Sequence, residues 1–172
     1  MPHHWGKPFF AVIAAGYVAA LVVAARVMPD PTPSHYDGLG RPDDWSSRAS
    51  MVAFWAIAGA VILGGGWALS RIRMHSPTHV NMPAASKEYW FANDERRATF
   101  WGIFADTMLA LVAWTGALMV VLMLGSAFSA RAGSDLPAAL TFGSVAIYLL
   151  AVLWCCVALM RRTRPPTAQT HS

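Results

Sequence analysis

The chain has 172 residues, 56% of them hydrophobic and only 13% charged, which is more apolar surface than a soluble domain of this size buries. A lipid solvent is expected, and with it an integral membrane protein. The net charge of +4 comes without the clustered basic face and stacking aromatics of a nucleic-acid binder, which excludes nucleic acid as a partner.

A bilayer core about 30 Å thick takes about 20 apolar residues per helical span. Four runs reach that length, at residues 9–28, 51–70, 107–127 and 140–160. The fold class read from them is all-α: one polytopic domain over residues 1–162, with four transmembrane helices in a bundle. A removable leader is the competing reading of the first run, with Val23-Ala24-Ala25 as its cleavage site. The run is longer than the usual apolar region of about 7–15 residues, which favours a span. Small residues recur at helical spacing: Ala11, Ala15 and Ala19 on the first span, Ala56, Ala60 and Gly64 on the second, Ala113 and Ala117 on the third, Ala139 and Gly143 on the fourth. Such rows let helix backbones approach where water exclusion cannot drive association. Gly64-Gly65-Gly66 marks a close crossing or a loosened helix end.

Between the first two spans lies a polar loop, residues 29–48, with Pro31, Pro33, Asp37-Gly38, Gly40 and Pro42-Asp43-Asp44. As structure it is a compact return, in which Asp43 or Asp44 caps the second helix, Trp45 anchors it at the interface, and Arg41 and Arg48 neutralise nearby carboxylates. His35 is the residue that turn-making does not explain; with a donor and an acceptor it is suited to tie the loop together. As chemistry, His35, Asp37, Asp43 and Asp44 form a candidate cation or ligand site of one imidazole and several carboxylates, a donor set suited to zinc. No repeated ligand spacing supports that second reading.

The loop at residues 71–98 joins spans two and three. Its first part, with Pro77 and Pro83, is irregular, and Pro77 argues against a helical His75/His79 metal pair. Ser86-Lys87-Glu88-Tyr89-Trp90-Phe91 is predicted to be a short interfacial helix. Asn93 then caps a long third helix, with Asp94 and Glu95 in its first turn. Asp106 is the one acid near a span and therefore a candidate ion or proton site, within reach of the interface and of Arg73 or Arg97. Trp5, Trp45, Trp67, Trp90, Trp101 and Trp154 are placed as interfacial anchors. Cys155 and Cys156 are read as lipid-facing or packed thiols, and the tail at residues 163–172 is expected to be disordered.

Basic residues favour the cytoplasmic side. Arg71, Arg73, Lys87, Arg96, Arg97, Arg161, Arg162, Arg164 and Lys7 flank one end of the bundle, against Arg26, Arg41, Arg48 and Arg131 at the other. An N-in, C-in topology follows, with residues 29–48 outside.

Pro33-Ser34-His35-Tyr36-Asp37-Gly38, then Gly40, Pro42-Asp43, Trp45 and Ser46-Ser47-Arg48, resembles the signature loop after the first helix in a widespread bacterial membrane family, which carries a domain of unknown function found in SdpI-like immunity proteins. Asn81-Met82-Pro83, Lys87-Glu88-Tyr89-Trp90 and Glu95-Arg96-Arg97 are similar to a second arrangement in some members, so that the likeness covers roughly residues 9–125. The resemblance implies a multi-pass protein of the bacterial inner membrane; its SdpI-like branch is linked to protection against a secreted toxin and to signalling the toxin's presence. The chain departs from that branch in having four predicted spans and no further SdpI region after them.

No His lies within a span to hold haem, and no nucleophile elbow, zinc-helix or phosphate-cradling motif is present. Neither an enzyme nor a cofactor is expected. The leading reading is a sensor, immunity factor or accessory subunit that meets another membrane protein or a second copy of itself through its polar loops. The alternatives are a small carrier using Asp106 and a metal-dependent membrane enzyme with His35 as ligand.

Overall fold

The computed structural model describes residues 5–76, 78 and 80–166; His79 and residues 167–172 of the tail lie outside the described residues. Helix α1 (Gly6–Val27) leads into a two-stranded antiparallel hairpin, β1 (Thr32–Tyr36) and β2 (Pro42–Ser46). The second span begins as α2 (Arg48–Gly59), passes through a π-helical turn (Ala60–Gly64) and ends as α3 (Gly65–Leu69). Short α4 (Ala84–Phe91), long α5 (Asp94–Ala132) and α6 (Ala138–Arg162) follow among the described residues.

Four helical stretches are long and apolar enough to cross a membrane: Gly6–Val27, Arg48–Leu69, Asp94–Ala132 and Ala138–Arg162. Val12, Val18, Phe54, Ile57, Val61, Ile147, Leu150 and Leu153 stand exposed on α1, the second span and α6. A water-soluble chain would not leave so many large apolar side chains uncovered. Helix α5 is the most buried of the four. Its 39 residues make a rod of about 58 Å, well beyond the hydrocarbon thickness of about 30 Å. Its start is capped as expected, Asn93 accepting from the Arg96 N–H at 2.9 Å, with Asp94 and Glu95 in the first turn.

The packing stripes differ from the small-residue rows read in the sequence. On α1 the buried residues are Gly6, Tyr17, Ala20 and Ala24, whereas Ala11, Ala15 and Ala19 are exposed. Tyr17, Ala20, Ala24 and Met28 pack on Met119, Met123 and Ala127 of α5, and the Tyr17 hydroxyl donates to the Trp55 carbonyl at 2.6 Å. In the second span, Gly59 rather than Ala60 or Gly64 is buried, against the Tyr17 ring, and Gly66 is pressed against Val112 of α5. The π turn accounts for that change of partner: one residue more than an α turn rotates the helix beyond it by up to about 100°. In an Ala-rich apolar helix any face offers small residues at spacing four, so the spacing alone does not select the contact face.

Trp90 and Trp101 are pins inside the protein, not free interfacial anchors. Both are buried in an aromatic cluster with Phe100 and Ile103. The Trp90 indole donates to the Thr163 carbonyl at 2.7 Å and the Trp101 indole to the Met74 carbonyl at 3.0 Å. The tail expected to be disordered from Thr163 onward therefore begins as a docked segment. Cys155 is buried and Cys156 exposed.

Candidate functional site: a docked hairpin and a cavity at the opposite end

The hairpin is held by its own turn and by the far end of α5. Asp37 organises the turn, its carboxylate accepting from the Leu39 N–H at 2.8 Å, the Arg41 N–H at 2.9 Å and Arg41 Nε at 2.8 Å. The Arg41 backbone bond first, then its guanidinium, with the Leu39 amide adding to them, hold the Asp37 carboxyl below the usual carboxylate range. Gly40 sits at φ +84, where a methyl group would overlap the Leu136 carbonyl. Its own carbonyl accepts from the Leu136 N–H at 2.8 Å, which fastens the turn to the α5–α6 connection. The Tyr36 hydroxyl reaches Ser126 Oγ at 3.0 Å; burial raises its pKa, so it stays a protonated donor.

The opposite face of the hairpin is open. His35 Nδ1 lies 2.6 Å from Asp43 Oδ1, with 67% and 47% of the two side chains exposed. An ionised carboxylate only accepts, so the ring nitrogen donates. Trp45 is 53% and Leu39 68% exposed beside them.

Neither Asp43 nor Asp44 caps the second span. Ser47 does, its hydroxyl accepting from the Ser50 N–H at 3.1 Å, because both aspartates fall inside β2 and are occupied there. Asp43 meets His35; Asp44 accepts from Ser34 Oγ at 3.1 Å and from the Trp45 N–H at 2.9 Å. Asp37 is turned to Arg41, while the Arg48 N–H goes to Asp30 at 3.3 Å. The carboxylates of the candidate cation site are thus divided among separate partners. Among the described residues no group of three His, Cys, Asp or Glu gathers to hold a metal ion.

At the other end of α5, Asp106 is 1% exposed and both its oxygens are engaged. Oδ1 accepts from the Gly6 N–H at 2.8 Å and Oδ2 from Arg162 at 3.3 Å. Its partner is Arg162 of α6, not Arg73 or Arg97: Arg73 donates to the Ser70 and Ile72 carbonyls, and Arg97 pairs with Asp94. Helix α1 has no acid in its first turn and no side-chain cap of its own, so Asp106 supplies from α5 the negative charge that a helix N-terminus favours. A Cβ at Gly6 would overlap the Asp106 carbonyl; the contact needs glycine. Asp106 joins α1, α5 and α6.

Next to this clamp, the second-loop motif divides. Glu88 is exposed, Tyr89 lies under Arg96 at 4.3 Å, and Trp90 is pinned to Thr163. Asn81 and Pro83 line a cavity of about 730 Å³ between the end of α3, residues 72–74 and 80–86, α5 and the end of α6. No local sequence signal marks that cavity, since its walls come from four separate stretches.

Residues 11–61 match the family model for a domain of unknown function (DUF1648). The match takes in most of α1, the whole hairpin and the second span as far as the π turn. No curated protein and no solved structure gives a significant match.

Proposed function

We propose that the chain is a non-enzymatic, multi-pass protein of the bacterial inner membrane, inserted N-in and C-in, which works as an SdpI-like sensor, immunity factor or accessory subunit. The hairpin is its recognition element. One observation carries this reading: the same 15 residues, Thr32 to Ser46, are fastened to α5 and Leu136 on one face and present His35, Asp43, Trp45 and Leu39 on the other. A preorganised platform with an aromatic, an aliphatic and a hydrogen-bonded His–Asp pair in the open fits a protein partner, because little ordering entropy is left to lose on binding. The family match spans this element in full, and the basic-residue asymmetry supports its outward position.

The test is a photo-reactive residue at Leu39 in living cells. A discrete adduct is expected, either with one other membrane protein or with a second copy of the chain, and Trp45→Ala is expected to weaken it strongly. Adducts with lipid alone, at Leu39 and again with the probe moved to Trp45, would remove the hairpin from any recognition role.

A further inference from the structure

We propose that the cavity at the terminal end binds an anionic phospholipid of the surrounding bilayer, an acyl chain filling it and the phosphate lying on Arg164. The volume of about 730 Å³ is within the range of about 300–1,000 Å³ of sites that enclose small ligands. Phe100, Phe104 and Met108 of α5 and Leu159 and Met160 of α6 line it, offering hydrocarbon and thioether surface. The Trp101 indole, also in the wall, is already committed to the Met74 carbonyl. Little remains inside to hold a polar ligand, whereas an alkyl chain needs nothing more.

The mouth faces lipid. Leu69 and Met160 line the cavity and are also 52% and 57% exposed, at the ends of the second and fourth spans. A chain can therefore enter sideways from the bilayer. The polar lining comes from three places: Asn81 just before α4, Ser86 within α4, and Thr163 and Arg164 just beyond α6. Among the described residues Arg164 is the one charged group lining the cavity, and no carboxylate joins it. That combination favours an anionic over a zwitterionic headgroup, as basic pockets between membrane helices do. The chain's own tail is a poor occupant: residues 167–172 read Thr-Ala-Gln-Thr-His-Ser, without one large apolar side chain. The site lies at the end of α5 away from the hairpin, so it stands apart from the recognition role proposed above.

The full chain in phosphatidylethanolamine vesicles, doped with phosphatidylglycerol bearing a photoactivatable group near the end of one chain, tests this, with phosphatidylcholine carrying the same chain as comparison. The phosphatidylglycerol probe is expected to label Phe104 and Met108 in preference to the lipid-facing Val12, Phe54 and Leu150. Arg164→Gln, on the exposed end of the chain, is expected to lower the cavity labelling roughly fivefold, the effect of one basic residue at a membrane surface, and to leave the helix faces unchanged. Met108→Trp, which fills the cavity from its wall, is expected to remove labelling at Phe104. Labelling spread evenly over the helix faces overturns the proposal, as does equal cavity labelling by both headgroups or indifference to Arg164→Gln.

Discussion

Gly40 and Asp37 show how single residues set the hairpin. Gly40 lies at φ +84, in the region side chains avoid, and touches the Leu136 carbonyl. Gly40→Ala is expected to cost about 1–2 kcal/mol in backbone strain and to loosen the Leu136 N–H bond as well, lowering the thermal midpoint in detergent. Gly38, with open space around it, is the control; Gly38→Ala is expected to stay within about 0.5 kcal/mol. Equal effects of the two would show that the turn is not seated on Leu136. Asp37 makes the turn acid-sensitive in one direction. Its folded pKa is depressed, so its contribution is complete above the ordinary value of about 3.9 and lost as pH falls through the lower folded value. Protection of the Leu39 and Arg41 amides, corrected for the intrinsic exchange rate at each pH, should therefore fall only in strong acid, and Asp37→Asn should abolish that dependence. Protection that is the same at pH 7 and pH 2 in the unaltered chain would contradict the turn's dependence on the carboxylate.

Among the elements, the helices were legible and their faces were not. The four apolar runs, the long third helix, the Asn93 cap and the short helix at Ala84–Phe91 all follow from composition and capping chemistry, which act locally. The contact stripes on α1 and the second span depend on which neighbour arrives, and the π turn at Ala60–Gly64 re-aims one helix midway. The hairpin was legible as a return but not as paired strands. Its Asp43 and Asp44 resemble helix caps in sequence, and only the register, His35 opposite Asp44, carries them into the ladder and leaves the cap to Ser47. Asp106 was visible as an anomalous acid, yet its partners lie 100 residues back and 56 residues on. The start of α1 provides the check on that clamp. Asp106→Asn keeps an acceptor for the Gly6 N–H while losing the charge and the Oδ2 acceptor of Arg162; Asp106→Leu loses these and strands the buried Gly6 N–H as well, at about 1–3 kcal/mol. The Leu variant should melt lower than the Asn variant, and the reverse order would mean that the carboxylate does not hold α1.

Across the fold, α5 joins two separate features at the two ends of one rod. The hairpin docks at Ser126 and Leu136, and the largely apolar cavity opens beside Phe100 to Met108. The cavity is the part no reading of the sequence could reach, because its lining is assembled from segments up to 95 residues apart, Leu69 to Arg164. A recognition role requires the hairpin to stand outside the bilayer, on the side away from both ends of the helical bundle's chain. With Cys155 and Cys156 changed to Ser, single cysteines at Leu39, Ser134 and Ser76, all exposed positions, can be offered to an impermeant thiol reagent on intact cells. Labelling at Leu39 and Ser134 but not at Ser76 until the membrane is opened is the predicted result; labelling of Ser76 alone on intact cells would contradict it.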